Sequence, residues 1–183
     1  MVELKINDEI LNVPTEWKDI KLKDYIAISN LTLLDDIDEM TDTQKSAEVL
    51  AILLKRTMGF FYLLKLSEFN KLVDSIAFLT TPIEPRMISD ETVKVGDKIF
   101  YIKNDMNEIT LGEQISYQTV IQKTEQKLSD CMAPSLALML VEDLEKEFDA
   151  KEYLEKIKYI EENIEYEMAF NLSAFFLSGS TEL

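Results

Sequence analysis

Alternating apolar and polar residues open the chain and predict a β-hairpin. Between Val2 and Val13 the apolar side chains fall close to every second position on either side of Asn7 and Asp8. Asn and Asp are residues that tight turns favour. Pro14 ends the pattern, because proline has no N–H to donate to a neighbouring strand. We therefore expect two short antiparallel strands joined by a tight turn.

Segments with helical spacing follow the hairpin at residues 22–34, 41–58 and 67–79. Thr41 and Gln44 have the spacing of a capping box, which predicts the start of the second helix. We expect Gly59 to end that helix, because glycine readily adopts the left-handed conformation found after helix C-termini. Pro82 and Pro85 then interrupt helical structure.

The order of elements starts again in the second half of the chain. Residues 4–26 align with residues 93–115 without a gap, at a constant offset of 89 positions. Random pairing at ordinary composition gives about one or two identities over this length. Six aligned pairs are identical, and their first members are Lys5, Asp8, Ile10, Ile20, Leu22 and Ile26. We therefore interpret the two halves as an internal repeat.

The second half also contains signals for helix ends. Thr110 and Glu113 have the spacing of a capping box, and Asp149 suits the N-cap of the last helix. We expect Pro134 to be the first residue of the preceding helix, where the missing N–H of proline is tolerated. The last helix is predicted to be continuous, because one stripe keeps helical spacing throughout: Tyr153, Ile157, Ile160, Ile164, Met168, Asn171 and Phe175.

These patterns predict an α+β fold that is predominantly helical. Two tandem hairpin–helix–helix–helix repeats are expected to pack together, since the linker between them has an ordinary connection length. The predicted boundaries are 1–82 for the first repeat, 83–90 for the linker and 91–183 for the second repeat with its long C-terminal helix.

The residue composition excludes most catalytic chemistry. Among the 183 residues there is no histidine, which excludes Ser-His-Asp and Cys-His nucleophile pairs and every zinc site that uses histidine. The four glycines are too scattered for a phosphate-binding loop, and Cys131 has no second cysteine for a disulfide. We therefore expect a protein that is not an enzyme and that has no catalytic residue, no cofactor and no metal ligand.

The charge of the chain is strongly acidic. It has 35 acidic and 19 basic residues, for a net charge of −16, and such a surface repels nucleic-acid phosphates. We therefore expect no direct contact with nucleic acid. Residues 142–167 hold eleven acidic and four basic residues, and the acids include Glu161, Glu162 and Glu165. Two interpretations of this stretch remain open: a solvated helix face, or a docking surface for a basic partner.

Nothing in the chain predicts a membrane segment or a secretory signal. The longest apolar runs, such as 59–64 and 136–141, are far shorter than the roughly 20 residues that span a bilayer. The first residues have neither the basic nor the apolar part of a signal peptide. We expect a soluble protein, made in the cytoplasm, with no membrane partner.

Two apolar clusters are the candidates for protein contacts. The first consists of Phe60, Phe61 and Tyr62, and the second of Phe170, Phe175, Phe176 and Leu177. Large apolar and aromatic side chains are frequent among the residues that dominate binding at interfaces. Packing into the protein's own core explains the same clusters equally well, and the sequence leaves both interpretations open.

The start of the chain resembles a group of viral proteins. Residues 3–26 read ELKINDEILNVPTEWKDIKLKDYI, and residues 107–113 echo them as NEITLGE. This opening resembles that of small acidic proteins encoded in the structural gene modules of tailed bacteriophages, in particular crAss-like phages. The resemblance covers about a quarter of the chain and includes no catalytic or ligand-binding motif.

The resemblance implies a virion component, namely a ring or adaptor subunit of the portal, the head–tail connector or the tail. Its implied partners are other phage structural proteins and further copies of itself in a homo-oligomeric ring. Two alternatives remain open. One is a tail-assembly chaperone that is absent from the mature particle, and the other is an acidic DNA mimic that inhibits a host defence enzyme.

Overall fold

The computed structural model describes residues 1–31, 37–103, 109–123, 128–145 and 147–179; of residues 128 and 175–179 it describes the backbone alone. Contacts along the chain divide it into two compact units, Met1–Ile83 and Glu84–Leu183. The division falls at the start of the segment 83–90, which the sequence predicts to be the linker. Each unit is described by itself below.

The first unit consists of a hairpin followed by helices. Its described elements are β1 (Val2–Ile6), β2 (Glu9–Val13), α1 (Leu22–Leu31), α2 (Asp42–Leu54), α3 (Met58–Tyr62) and α4 (Leu66–Ser75), with short 3₁₀ turns at Trp17–Asp19, Ile37–Glu39 and Ala77–Thr80. The last three residues of the helix predicted over 22–34 lie outside the described residues.

The predicted first hairpin is present, with the predicted turn. Val2 pairs with Val13 and Ile6 pairs with Glu9 in an antiparallel ladder. Asn7 and Asp8 both have positive φ, at 45° and 63°, which is the conformation that a two-residue hairpin turn requires. One face of the hairpin is buried in the core of the unit, which comprises Ile6, Leu11, Val13, Ala47, Leu50, Phe61, Phe69, Leu72 and Ile76.

Helix α2 begins as predicted and ends earlier than predicted. The Thr41 hydroxyl accepts a hydrogen bond from Gln44 N, and the Gln44 side chain accepts one from Thr41 N at 2.8 Å. The helix ends at Lys55, whose φ of 54° gives the left-handed cap. The expectation that Gly59 ends this helix is therefore wrong, because Gly59 lies inside the separate short helix α3.

The second unit combines a three-stranded sheet with four helices within the residues that the structure describes. Its elements are β3 (Thr92–Val95), β4 (Lys98–Ile102), α5 (Leu111–Ile121), α6 (Leu128–Met139), β5 (Leu140–Val141), α7 (Ala150–Asn163) and α8 (Tyr166–Gly179). The strand order is β3-β4-β5, and both pairs are antiparallel. The short strand β5 has no counterpart in the two-stranded sheet of the first unit.

Pro134 lies within α6 rather than at its first position, so the expectation for this residue is wrong. An internal proline removes one helical hydrogen bond and crowds the preceding turn. Residues 136–140 are all buried, and Leu136 and Ala137 are completely so. The burial of this helix offsets the cost of the proline.

The predicted long C-terminal helix is two helices. Helix α7 ends at Asn163, and Ile164 takes an extended conformation with ψ of 141° before α8 begins. Asp149 caps the start of α7 as expected, since its Oδ1 accepts from Lys151 N at 2.8 Å and from Glu152 N at 2.9 Å. The break leaves Ile164 in the core, where it is 1% exposed.

The predicted fold class, α+β and predominantly helical, is confirmed. The aligned hairpins of the two units share one strand register and one turn position, with Gly96 at φ of 60° where the first hairpin has Asn7. The repeat of the whole hairpin–helix–helix–helix unit stays a prediction.

Candidate functional site

The corner between α3 and α4 carries an apolar surface in the first unit. Phe60, Phe61 and Tyr62 were predicted from the sequence to form one candidate cluster. A helix turns about 100° per residue, so three successive side chains cannot point in the same direction. Phe61 is in the core at 4% exposure, and Phe60 is half-buried against it at a ring-centroid distance of 5.2 Å. Tyr62 is 69% exposed. The three residues therefore have different roles.

The exposed apolar surface continues beyond Tyr62 to two leucines that the sequence analysis did not select. Leu63 is 81% exposed and Leu66 is 70% exposed. We call Tyr62, Leu63 and Leu66 the corner patch. One signal in the sequence indicates that Leu66 is exposed. Phe69, Leu72 and Ile76 form the core-facing stripe of α4, and Leu66 lies outside this stripe.

Polar contacts hold the backbone around the corner patch. The carboxylate of Glu68 accepts hydrogen bonds from Lys65 N at 3.3 Å and from Asn7 N at 3.4 Å, which ties the first hairpin turn to the start of α4. Arg56 forms an ion pair with Glu9 at 2.6 Å, and its guanidinium lies 5.4 Å from the centre of the Phe60 ring. These contacts therefore connect the backbone around the corner patch to the first hairpin.

The second predicted apolar cluster lies on α8. Phe170 is half-buried, and its ring centroid lies 6.3 Å from that of Tyr166. The first turns of this helix contribute Ala169 and Leu172 to the core, both fully buried. The backbone of α8 extends through the remaining members of the predicted cluster, whose side chains lie outside the described residues: Phe175, Phe176 and Leu177.

The predicted acidic residues lie at the end of α7 and just after it. Glu161 and Glu165 are half-buried, whereas Glu162 is exposed. Burial raises the pKa of Glu161, and the negative charges of Asp130 and Glu162 raise it further. Negative charge near the C-terminus of a helix is also unfavourable, because the negative end of the helix dipole lies there. Whether the three glutamates dock a basic partner stays a prediction.

A buried ion pair lies in the second unit, where the sequence analysis had assigned Glu113 only a capping role. Lys103 Nζ donates to Glu113 Oε1 at 2.9 Å, and Thr110 N donates to Glu113 Oε2 at 2.8 Å. Burial alone would raise the pKa of Glu113, but the hydrogen bonds from Thr110 and Lys103 hold this pKa below its ordinary value. Glu113 is therefore a fixed anion in a nearly dry environment, with 5% exposure.

One cavity is lined by this ion pair, and a second cavity shares part of its lining. One has a volume of about 130 Å³ and the other about 440 Å³, and both are lined by Glu142, Glu152 and Lys156. Lys103 and Glu113 line the smaller cavity, together with Tyr153, whose hydroxyl donates to Pro134 O at 3.1 Å. No motif in the sequence marks this region, because its members come from four separate segments of the chain.

In the part of the chain that the structure describes, no helix combines the length and the apolar content that crossing a membrane requires. The same residues contain no group of three or more Cys, Asp or Glu side chains placed to hold a metal ion.

No protein-family model matches the chain, and no curated protein or solved structure matches it either.

Proposed function

We propose that the chain is a structural subunit that acts through protein–protein contacts, as a ring or adaptor subunit in the portal, connector or tail of a tailed-bacteriophage particle. The observation that supports a contact function is the corner patch, in which Tyr62, Leu63 and Leu66 are each at least 69% exposed. The three residues lie within five positions of the chain, and exposed apolar surface of this kind commonly marks interaction sites. The resemblance of residues 3–26 to phage structural proteins supports the more specific role.

A ring built from one kind of subunit requires two different surfaces on each copy, because each copy contacts one neighbour on either side. The corner patch supplies one such surface. The net charge of −16 disfavours non-specific association between copies of the chain. Specific apolar contacts then determine how the copies are arranged in the ring.

The experiment that tests the specific role is quantitative mass spectrometry of purified phage particles beside the infected-cell lysate. We expect a small, fixed number of copies per portal complex in the particle. Detection in the lysate alone would contradict the structural role and favour an assembly chaperone. Salt-sensitive binding to a basic host enzyme, without self-association, would instead favour an acidic inhibitor.

A second experiment tests the contribution of the corner patch. The double variant Tyr62→Ser and Leu63→Ser removes two exposed apolar side chains, and its matched control is Ile115→Ser with Leu154→Ser in the second unit, where the two residues are 53% and 57% exposed. Light scattering across a concentration series should show oligomers for the wild type and the control, and monomers for the corner variant. A wild type that stays monomeric, or equal loss in both variants, would contradict the assignment.

A further inference from the structure

Lys156 lines both of the cavities described above, and its Nζ donates to Leu140 O at 3.0 Å. The nearby Lys103 has a carboxylate partner in Glu113 at 2.9 Å, whereas the structure gives Lys156 a backbone carbonyl. A neutral carbonyl stabilises an ammonium less than a carboxylate does, so this contact does little to hold the Lys156 side chain in its charged form.

The electrostatic environment acts in the same direction. Burial lowers the pKa of Lys156 to about 8, and the charge of Lys103 contributes to the decrease, against the opposing effects of Glu113, Glu142 and Glu152. A pKa near 8 leaves about a fifth of the amine unprotonated at pH 7.4, compared with about one in a thousand for an ordinary lysine.

We propose that Lys156 is a nucleophilic amine that forms an imine with small, uncharged carbonyl compounds entering these cavities. Desolvation and a second cation beside the amine are the two features that activate lysines for this chemistry in proteins. The unprotonated amine keeps N–H groups for the bond to Leu140 O and has a free lone pair for attack. The site does not depend on the proposed role in assembly.

The cavities restrict which carbonyl compounds can enter. The smaller one, at about 130 Å³, is well below the roughly 300 to 1,000 Å³ of pockets for drug-sized ligands. Its lining includes the acids Glu142, Asp143, Glu147 and Glu152. Carboxylates in the lining repel anions, so phosphorylated or carboxylated aldehydes are disfavoured. The smaller cavity accepts uncharged compounds of a few heavy atoms, and the larger one, at about 440 Å³, accepts larger uncharged compounds.

The reaction needs no oxidant and no cofactor. The Lys156 nitrogen bonds to the carbonyl carbon as the carbon–oxygen π bond breaks; the nitrogen releases one proton and the oxygen takes one up, which gives a neutral carbinolamine. The hydroxyl group then takes up a proton and leaves as water, the nitrogen lone pair forms the carbon–nitrogen double bond, and the nitrogen releases its second proton to give the neutral imine. Water or a lining carboxylate carries these protons, a role for which Glu142 and Glu152 both lie in the cavity walls.

The test uses the full chain, with propanal as the uncharged probe and cyanoborohydride to reduce the imine to a stable amine. Peptide mapping by mass spectrometry then compares Lys156 with Lys158, an exposed lysine on the same helix that serves as the internal control. We expect Lys156 to be labelled at least tenfold faster than Lys158 at pH 7.4. This is less than the roughly 200-fold difference in neutral amine between Lys156 and an ordinary lysine, because a less basic amine is also a weaker nucleophile. With glyoxylate, an aldehyde of similar size that carries a carboxylate, the preference for labelling Lys156 over Lys158 should be lost.

Two further measurements need no variant. The ratio of labelling at Lys156 to labelling at Lys158 should fall as the pH rises above about 8, because Lys156 is then mostly neutral and gains little further, whereas an ordinary lysine continues to gain neutral amine. In concentrated guanidinium the ratio should fall to about one. Equal labelling of the two lysines in the folded chain, or a preference that persists after unfolding, would overturn the proposal.

Discussion

The hydroxyl of Tyr159 lies 2.7 Å from the position that a Cβ atom would take on Gly96, the turn residue of the second hairpin. The same hydroxyl lies 2.9 Å from Val95 O, contacts the Asp97 carboxylate and accepts a hydrogen bond from Asp97 N at 3.2 Å. Helix α7 therefore holds the turn of the β3–β4 hairpin through one side chain, and the close fit requires a residue without Cβ.

We expect Gly96→Ala to lower the free energy of unfolding by about 2 to 3 kcal/mol. One part is the cost of placing alanine at φ of 60°, and the other is displacement of Tyr159 and of Asn163, whose Cβ lies 3.1 Å from the new atom. Chemical denaturation measures the change.

The first hairpin provides the matched control, because Asn7 occupies the aligned turn position with φ of 45°. Asn7→Ala introduces the same residue into the same backbone conformation, and we expect it to cost about 1 kcal/mol. Equal costs at the two positions would show that the contact with Tyr159 adds nothing. In a Tyr159→Phe background, the cost of Gly96→Ala should decrease.

The second prediction concerns the stability of the folded chain in acid, to which the ion pair between Lys103 and Glu113 contributes. The pKa of Glu113 lies below its ordinary value of 4.5 in the folded chain, so the unfolded chain binds a proton first as the pH falls. The contribution of Glu113 is therefore fully present above about pH 4.5 and is lost as the pH falls through the lower, folded pKa. Glu113→Gln should cost about 2 kcal/mol at pH 7, and the difference from wild type should shrink toward pH 3.

The control for this prediction is an exposed pair of the same type. Lys5 and Asp8 form an ion pair at 2.9 Å, but the Asp8 side chain is 94% exposed. We expect Asp8→Asn to change the free energy of unfolding by less than about 0.5 kcal/mol at either pH. Similar effects of the two substitutions would contradict the view that burial makes Glu113 important.

Local signals in the sequence predicted those features that are determined locally. The turn at Asn7 and Asp8 and the capping boxes beginning at Thr41 and Thr110 each depend on residues within a few positions of one another. Helix ends that depend on distant packing were predicted less well. Lys55 adopts the left-handed conformation although it is not glycine, and nothing in its neighbouring residues signals this.

The break between α7 and α8 shows why periodicity can miss a boundary. Ile160 and Ile164 keep helical spacing, and both are buried, so the pattern continues through the break. After the break the buried apolar residues are Tyr166, Ala169 and Leu172, none of which belongs to the predicted stripe, and of that stripe Asn171 alone is buried among the described side chains that follow Ile164. An extended residue at Ile164 resets the phase while preserving the burial of that side chain.

The candidate sites were predicted in part. Tyr62 was selected from its aromatic cluster, but Leu63 and Leu66 were not. The position of Leu66 outside the stripe of α4 was the available signal for that residue, whereas nothing in the neighbouring sequence marks Leu63 as exposed. The surroundings of Lys156 could not be predicted, since Lys103, Glu113 and Glu142 approach it only through tertiary packing.

A third prediction separates the two adjacent aromatic residues of α3. Phe61→Ala should lower the free energy of unfolding by about 3 to 4 kcal/mol, because it leaves a cavity in the core of the first unit. Tyr62→Ala should change stability by less than about 0.5 kcal/mol and should weaken self-association instead. Thermal melts and light scattering on both variants check this. A large loss of stability in Tyr62→Ala would contradict its assignment to a surface patch.

A fourth prediction concerns the stability of the second unit in mild alkali. In the folded chain the pKa of Lys156 is about 8, whereas in the unfolded chain it returns to about 10.5. At pH values between about 8 and 10.5 the unfolded chain binds more protons at Lys156 than the folded chain does. The contribution of Lys156 to the free energy of unfolding therefore rises with pH over this range. Below pH 8 both states are protonated, and the full cost of a buried ammonium is present.

Lys156→Met removes this titration while keeping a side chain of similar length. We expect the stability of wild type relative to Lys156→Met to rise by about 2 kcal/mol between pH 7 and pH 10, measured by urea denaturation at each pH. The exposed neighbour provides the control, since Lys158→Met should show no such pH-dependent difference. A difference between wild type and Lys156→Met that stays constant over this range would mean that Lys156 titrates alike in both states. That result would remove the electrostatic support for the proposed reactivity of Lys156.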